Sequence, residues 1–277
     1  MRRDLQWWVF AQAATSLLLL SVFLIGCQKG GHGLVIAGST SVQPVMEKIA
    51  EAYRKQFPDW RVTVEGGGSS AGIMAARMGT AQMGMSSRPL KANNPDENVL
   101  IGIPLAYDGI AVIVNRDNPM KSLTLSQLRH LFMGRLRNWQ EISSFSREVH
   151  LVIREEGSGT RSAFEELVML EGKTENPVDP YALVQDSTGG VREVVRTDPG
   201  AIGFISLGAV TPQIKALEID GVAPTSEAVK TKEYKLVRPF LLVLKGAPAS
   251  ATQHLIDFAL GSEGARLMLQ EGLVSAR

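Results

Sequence analysis

Apolar residues in this chain follow two alternating patterns. Short runs rich in apolar and β-branched residues, typical of strands, lie at 34–37, 61–65, 81–86, 110–114, 149–153, 201–205 and 239–244. Between most of these runs, apolar residues recur at helical spacing, as at Val45, Met46, Ile49 and Tyr53. Strands that alternate with helices favour an α/β protein built on mostly parallel sheets.

Three of the predicted strand-to-helix junctions carry glycine beside small hydroxyl residues. They lie at 38–41 (Gly-Ser-Thr-Ser), 66–70 (Gly-Gly-Gly-Ser-Ser) and 157–161 (Gly-Ser-Gly-Thr-Arg). The start of a helix offers unpaired N–H groups and a partial positive charge, while glycine lets a ligand approach the backbone. Ordinary turn and N-cap chemistry also explains each loop alone. Together the loops predict a site that gathers donors around an oxyanion.

The N-terminal segment is typical of an exported lipoprotein. Two arginines precede an apolar stretch over 7–25, and small residues follow, as in a secretory signal. The sequence Leu-Ile-Gly-Cys at 24–27 resembles the bacterial lipobox, whose chemistry attaches lipid such as palmitate to the cysteine and cleaves before it. We therefore predict a signal peptide over 1–26, a tether over 27–32, and a lipid anchor on Cys27 at the periplasmic or cell-surface side of a bacterial envelope.

Composition excludes several classes of partner. Removal of Arg2, Arg3 and Asp4 with the signal peptide leaves 27 basic and 27 acidic side chains, from 29 and 28 in the whole chain. A neutral chain lacks the general basic character of nucleic-acid binders. Cys27 is the only cysteine, so no intrachain disulfide is available. The acidic residues show no metal-ligand spacing and no P-loop sequence occurs, so we predict neither metal nor cofactor.

Four motifs in order resemble the phosphate-binding lipoprotein of the bacterial phosphate ABC transporter, the PstS family. They lie at 38–44, 68–72, 86–88 and 154–161, and 201–206 is similar to a later strand of that family. The resemblance implies a periplasmic-binding-protein-like type II fold, with two lobes joined by a two-strand hinge and a phosphate cleft between them. The first lobe would contain 33–112 and 240–277, and the second 113–239. It also implies a monomer that delivers phosphate to a membrane permease and is not an enzyme.

The same motifs imply the residues that bind the anion. The first lobe would supply Thr40, Ser41, Ser70 and Ser87, and the second Arg154, Ser158, Gly159 and Thr160. Arg88, which the family pattern does not contain, would add a charge-assisted contact. Arginine suits such a place because its planar fork bonds two oxygens at once. Arg161 would either join this set or form a salt bridge at the surface.

Arg88 departs from the family pattern. In long members, a Ser-Asp pair occupies this place, and its carboxylate accepts a proton that phosphate carries and sulfate lacks. We expect Asp108, which precedes Gly109 at a loop between lobes, to replace that acceptor. Glu65, Glu155 and Glu156 are weaker candidates.

Other functions fit parts of the sequence. The segment 68–72 matches the nucleophile elbow G-x-S-x-G, so a lipid-anchored serine hydrolase that uses Ser70 is an alternative from another class. Such an enzyme needs a downstream acid and histidine, and His130, His150 and His254 do not lie in loops that follow predicted strands. Within the binding class, the alternatives are a sulfate or molybdate receptor, a phosphate sensor and a structural envelope lipoprotein.

Overall fold

Strands and helices alternate along the protein in the computed structural model, which describes residues 32–172 and 174–277. The predicted signal peptide, the lipid anchor on Cys27 and nearly all of the tether lie outside the described residues. None of the described helices combines the length and the apolar character that a membrane crossing requires.

The strands occupy nearly every apolar run that the sequence marks. They are β1 (His32–Gly38), β2 (Trp60–Gly66), β3 (Met83–Ser86), β4 (Ile101–Asn115), β5 (Ser122–Leu123), β6 (His150–Arg154), β7 (Leu170–Glu171), β8 (Thr174–Glu175), β9 (Leu183–Gln185), β10 (Ala201–Ser206), β11 (Ile214–Ala216), β12 (Glu218–Ile219), β13 (Val237–Leu244) and β14 (Val274–Ser275).

The helices begin at small, hydroxyl or proline-flanked positions, except α3, which follows the N-cap Thr124. They are α1 (Gln43–Gln56), α2 (Ser69–Met78), α3 (Leu125–Phe132), α4 (Gly159–Phe164), α5 (Thr188–Thr197), α6 (Ser226–Lys230), α7 (Ser250–Leu260) and α8 (Ser262–Gln270). Single helical turns of other pitch lie at Trp139–Glu141, Glu165–Met169 and Leu207–Ala209. Two helices that matter below are capped by serine, because Ser158 accepts the Arg161 N–H and Ser187 accepts the Gly190 N–H.

The main sheet is mixed rather than mostly parallel. Its strand order is β2-β1-β3-β13-β4-β10-β6-β9, with β11 and β14 also paired to β4. The pairs β1–β3, β6–β10 and β6–β9 are parallel, whereas β13 is antiparallel to both β3 and β4, and β10 is antiparallel to β4. The expectation of mostly parallel sheets therefore holds for the pairs outside β4 and β13, whereas every pair that includes β4 or β13 is antiparallel.

The long strand β4 connects two apolar cores. One core takes residues between 34 and 106 and again between 240 and 273, and we call the elements around it the first lobe. A second core takes residues between 110 and 236, and a smaller one lies on another face of the same elements, which we call the second lobe. The predicted two-lobe fold with a two-strand hinge is confirmed, since β4 and β13 run from one core to the other. The predicted residue ranges of the lobes stay predictions.

Glycines bring α2 close to the edge of the first lobe's sheet. A Cβ at Gly72 would lie 2.5 Å from the Gly38 Cα and closer still to the Ala37 carbonyl oxygen. A Cβ at Gly84 would also collide with the Gly72 backbone. Because no side chain separates the helix from β1 and β3, the start of α2 lies beside the ends of both strands.

Candidate functional site

Three buried hydroxyl groups of the first lobe meet where β1 and β3 end. Ser39 follows β1, Ser87 follows β3, and Ser69 begins α2. Ser39 Oγ donates to Ser87 Oγ at 2.9 Å, and Ser69 Oγ lies 3.3 Å from Ser87 Oγ. The Ser87 N–H donates to Ser69 Oγ at 3.0 Å. Because β1 and β3 are parallel neighbours, their carboxyl ends place these hydroxyls at one edge of the sheet.

Hydroxyl groups also bond across the cleft between the lobes. Ser41 Oγ lies 2.9 Å from Thr160 Oγ1 and 3.0 Å from Thr188 Oγ1. Thr40 Oγ1 accepts the Thr188 N–H at 3.3 Å, and the two threonine hydroxyls are also 3.3 Å apart. The two lobes are therefore closed on each other at this point. We call the seven residues Ser39, Thr40, Ser41, Ser69, Ser87, Thr160 and Thr188 the hydroxyl cluster.

Arg154 ends β6 beside the hydroxyl cluster and is 2% exposed. Its Nε and Nη2 donate to the two carboxylate oxygens of Glu155, each at 2.8 Å. Its Nη1 donates to Thr188 Oγ1 at 3.3 Å, and Nη2 also reaches the Asp186 carbonyl at 3.3 Å. Glu155 thus holds the fork, and the opposite end of the guanidinium faces the cluster.

Four helices begin at the hydroxyl cluster. The loop that carries Thr40 and Ser41 leads into α1, Ser69 begins α2, Thr160 lies in the first turn of α4, and Thr188 begins α5. Each helix start presents backbone N–H groups that lack intrahelical acceptors. The site therefore combines hydroxyls, backbone N–H groups and one guanidinium, a donor set that suits an anion.

Gly159 permits the close approach of the lobes. A Cβ at this position would lie 2.7 Å from Ser87 Oγ and closer still to Ser69 Oγ. Gly68 has φ +89°, and a Cβ there would lie 3.0 Å from a Glu155 carboxylate oxygen. Side chains at these two positions would keep the two lobes apart.

Ser70 lies at the edge of the site rather than inside it. Its side chain is exposed, and its backbone N–H donates to the Gly157 carbonyl at 3.0 Å. The serine of this loop whose hydroxyl joins the cluster is Ser69. Ser158, although buried, uses its side chain to cap α4.

Arg88 and Arg161 direct their charged groups to carboxylates outside the cluster. Arg88 Nη1 and Nη2 donate to the two Glu97 oxygens, each at 2.8 Å, and Nη1 also reaches the Pro89 carbonyl. Arg161 Nε donates to Glu165 at 2.8 Å, and its Nη1 donates to the Arg154 carbonyl. The expectation that Arg88 adds a contact to the anion has no support in this geometry, because Glu97 already occupies its fork. Arg161 forms the alternative salt bridge, in a partly buried place.

The surroundings of Asp108 do not fit the expected role of proton acceptor. The carboxyl is fully buried, and Ser206 Oγ donates to Oδ1 at 2.9 Å. Arg238 donates to Oδ2 through Nε at 3.0 Å and Nη2 at 2.8 Å. Burial raises the pKa of Asp108, while the charge and hydrogen bonds of Arg238 and the hydroxyl of Ser206 act in the opposite direction. Oδ2 therefore already accepts two N–H groups and Oδ1 one hydroxyl, which reduces the capacity of the carboxylate to accept a ligand proton.

Sequence reasoning missed several members of the site. Thr188 follows a strand and precedes two glycines, so it carries the same signal as the three recognised loops. Ser39 and Ser69 lie inside the predicted loops, each beside a residue that the motifs predict. Arg238 interrupts the apolar run of β13, and a charged residue in such a run is itself a signal.

The histidines have other partners. His254 Nδ1 lies 2.7 Å from the Tyr53 hydroxyl, and His150 Nδ1 lies 2.7 Å from Asp198 Oδ2. Within 32–172 and 174–277, the structure pairs neither histidine with Ser70. No group of three or more metal-ligating side chains comes together in that part of the chain.

A protein-family model described as a PBP superfamily domain matches residues 26–263. Among curated proteins, the chain is 30% identical over 235 residues to the phosphate-binding protein PstS of Bacillus subtilis, covering 84% of this chain and 77% of that protein. It is 24% identical over 271 residues to the phosphate-binding protein PstS of Borreliella burgdorferi, covering 94% and 96%.

Solved structures show the same likeness. A Clostridium perfringens protein, assigned as a phosphate ABC transporter substrate-binding protein and solved with bound phosphate, has 38% sequence identity and a TM-score of 0.84, covering 89% of this chain and 100% of that chain. An ABC-type phosphate transport receptor from Vibrio cholerae has 35% identity and a TM-score of 0.70, covering 87% and 99%. With its fold, its motifs and these relatives, the chain belongs to the PstS family of phosphate-binding proteins, within the PBP superfamily.

Proposed function

We propose that this protein captures inorganic phosphate outside the cytoplasm and delivers it to an ABC permease. The observation that carries the proposal is the convergence of buried hydroxyls from both lobes beside Arg154. The relatives named above are phosphate-binding solute receptors, and one of them was solved with phosphate bound. Phosphate accepts hydrogen bonds on all sides, and only the closed form offers it donors from both lobes. It therefore binds the closed form more tightly than the open form and stabilises closure.

The hydroxyl cluster can bond both the bare oxygens of phosphate and its protonated oxygen. A hydroxyl can donate or accept, whereas N–H groups and guanidinium only donate. At neutral pH, phosphate retains a P–OH group that needs an acceptor, and sulfate has none to satisfy. With the Asp108 oxygens already bonded, we assign the acceptor role to a serine or threonine oxygen of the cluster.

The test is calorimetric titration of the domain beginning at residue 33 with phosphate, sulfate, molybdate and a generic ester in parallel. We expect binding heat with phosphate and none with sulfate at the same concentration. Equal binding of sulfate or molybdate would instead support a general oxyanion receptor. Turnover of the ester that Ser70→Ala abolishes would support the hydrolase.

The proposal also covers the N-terminal segment and the oligomeric state. We propose that Cys27 carries a lipid anchor, that the segment before it is removed, and that the mature protein is a monomer that does not catalyse a reaction. Mass spectrometry of the protein from membranes would detect acyl chains on Cys27, and Cys27→Ser should abolish them. Light scattering of the soluble domain should give the mass of one chain.

A further inference from the structure

Arg238 is a buried cation at the point where the hinge passes between the lobes. It lies on β13 directly opposite Asp108 on β4, and it is 2% exposed. Nε and Nη2 donate to Asp108 Oδ2, and Ser206 Oγ donates to Oδ1, so the carboxylate is fixed from both sides. The guanidinium also lies 5.3 Å from the centre of the Phe240 ring. Its orientation is therefore set by the hinge itself.

One end of this guanidinium remains unused. Nη1 of Arg238 is buried and has no hydrogen-bond partner among the described residues. Arg154 differs, because Nε, Nη1 and Nη2 all donate to protein acceptors. A buried charged N–H that lacks an acceptor is unfavourable, so a native protein provides one unless a ligand does. Since Nε and Nη2 face Asp108, Nη1 points away from it.

The neighbours of Arg238 connect it to the hydroxyl cluster. Ser206, which shares Asp108 with Arg238, lines a small cavity of about 20 Å³ together with Thr40 and Ser41. Burial lowers the pKa of Arg238, and the nearby charge of Arg154 lowers it further, while Asp108 raises it. Two buried guanidinium groups within reach of each other repel, and an anion bound between them removes that repulsion.

We propose that Arg238 is a second arginine ligand of the bound anion, with Nη1 donating a charge-assisted hydrogen bond to a phosphate oxygen. Asp108 and Ser206 are positioning residues that aim this group from the hinge. The inference rests on the proposed capture of phosphate and adds a ligand carried by the hinge strand rather than by a loop of either lobe. A change in hinge geometry would therefore alter anion affinity directly.

The experiment compares Arg238→Lys with Arg88→Lys by calorimetric titration with inorganic phosphate. Both variants keep a buried positive charge and lose a fork that is paired to a carboxylate, but of the two arginines only Arg238 has a buried N–H group without a hydrogen-bond partner. We expect Arg238→Lys to weaken phosphate binding roughly 10- to 100-fold, as for a lost hydrogen bond to a charged group, and Arg88→Lys by less than about threefold. Circular dichroism at the titration temperature checks that both variants are folded.

Equal affinities for Arg238→Lys and the unaltered protein would overturn the Arg238 assignment and leave phosphate capture intact. Absence of phosphate binding by the unaltered protein would overturn both. If Arg238→Lys does not fold, the unaltered protein decides the question by side-chain ¹⁵N NMR, with Arg238 assigned through its own backbone amide. Phosphate should shift the Arg238 guanidinium signals and slow their hydrogen exchange. Unmoved Arg238 signals beside shifted Arg154 signals would contradict the proposal.

The positioning role of Asp108 predicts non-additivity. If Asp108 acts on the anion through Arg238, then Asp108→Asn combined with Arg238→Lys should weaken phosphate binding no more than Arg238→Lys alone. Independent, multiplying losses would show that Asp108 does not act through Arg238.

Discussion

Arg88 and Arg154 are both buried, and each pairs its guanidinium with a glutamate. They differ in the other groups that the guanidinium contacts. The ion pair of Arg88 with Glu97 is enclosed on both sides, at 5% and 7% side-chain exposure, and adds contacts only to its own loop. Arg154 is equally buried, but its Nη1 reaches Thr188, which bonds to Thr40 and Ser41 of the other lobe. Burial therefore does not distinguish the two arginines, whereas the bond of Arg154 to Thr188, a hydroxyl that itself bonds to the other lobe, does.

Removing each arginine in turn tests whether the two contribute differently to phosphate binding. Arg154→Met should weaken phosphate binding roughly 100-fold or more, because it removes a charge-assisted donor and leaves Glu155 beside the anion. Arg88→Met combined with Glu97→Gln should change the phosphate Kd by less than about threefold. Calorimetric titration measures both, and equal losses would show that the two arginines play the same part.

Gly159 tests whether the two lobes must meet for tight binding. Gly159→Ala should weaken phosphate binding roughly 30-fold, because the added methyl group collides with Ser69 and Ser87 when the lobes close. Gly157→Ala is the matched control in the same loop, since its nearest contact would be Ser70 Cβ at 3.8 Å. Small-angle scattering with phosphate should show that only Gly159→Ala stays expanded. A compact Gly159→Ala complex with unaltered Kd would contradict the prediction.

Thr188 tests the fourth helix start, which the sequence motifs did not include. Thr188→Val keeps the shape of the side chain and removes the hydroxyl that meets Arg154 and Ser41, so we expect a loss in phosphate affinity of about tenfold. Thr197→Val, at the other end of α5, removes a hydroxyl that bonds only within the helix and should leave affinity unchanged. Similar titrations for both variants would remove Thr188 from the site.

The neighbouring serines of α2 allow a finer test within one loop. Ser69→Ala should lower phosphate affinity about fivefold, because it removes a buried hydroxyl from the cluster. Ser70→Ala should stay within about twofold, because the contact of Ser70 with Gly157 uses its backbone N–H. The reverse ranking would restore the prediction that Ser70 is the ligand.

The Arg88–Glu97 pair should affect stability rather than affinity. Burial raises the pKa of Glu97, but the Arg88 and Lys91 hydrogen bonds and charges outweigh it, so the net pKa lies below the usual 4.5. The pair therefore stabilises the fold fully above pH 4.5, and this contribution is lost as pH falls through the lowered pKa. The difference in unfolding free energy between the unaltered protein and Glu97→Gln should be constant from about pH 5 to 7 and shrink in more acidic solution. A difference that grows on acidification would contradict the assignment.

The local pattern predicted most of the regular structure because each strand and helix carries its own signal. The helical spacing after Pro44 gives α1, and the apolar run at 201–205 gives β10. The antiparallel pairing of β4 with β13 could not be predicted, since it joins segments about 130 residues apart along the chain. Alternation alone therefore suggested a more parallel sheet than the molecule has.

The sequence alone determined the fold class, the near balance of charges and the three loops that carry glycine beside hydroxyl residues, because these depend on residue type and short-range order. Only the tertiary structure decided which residues of each loop reach the site. In it, Ser69 is buried and Ser70 exposed, Arg88 is paired with Glu97, and Thr188 lies beside Ser41. It also turned Asp108 from an expected ligand acceptor into the partner of Arg238. These outcomes depend on which distant groups share a hydrogen bond, and that is fixed only when the lobes close.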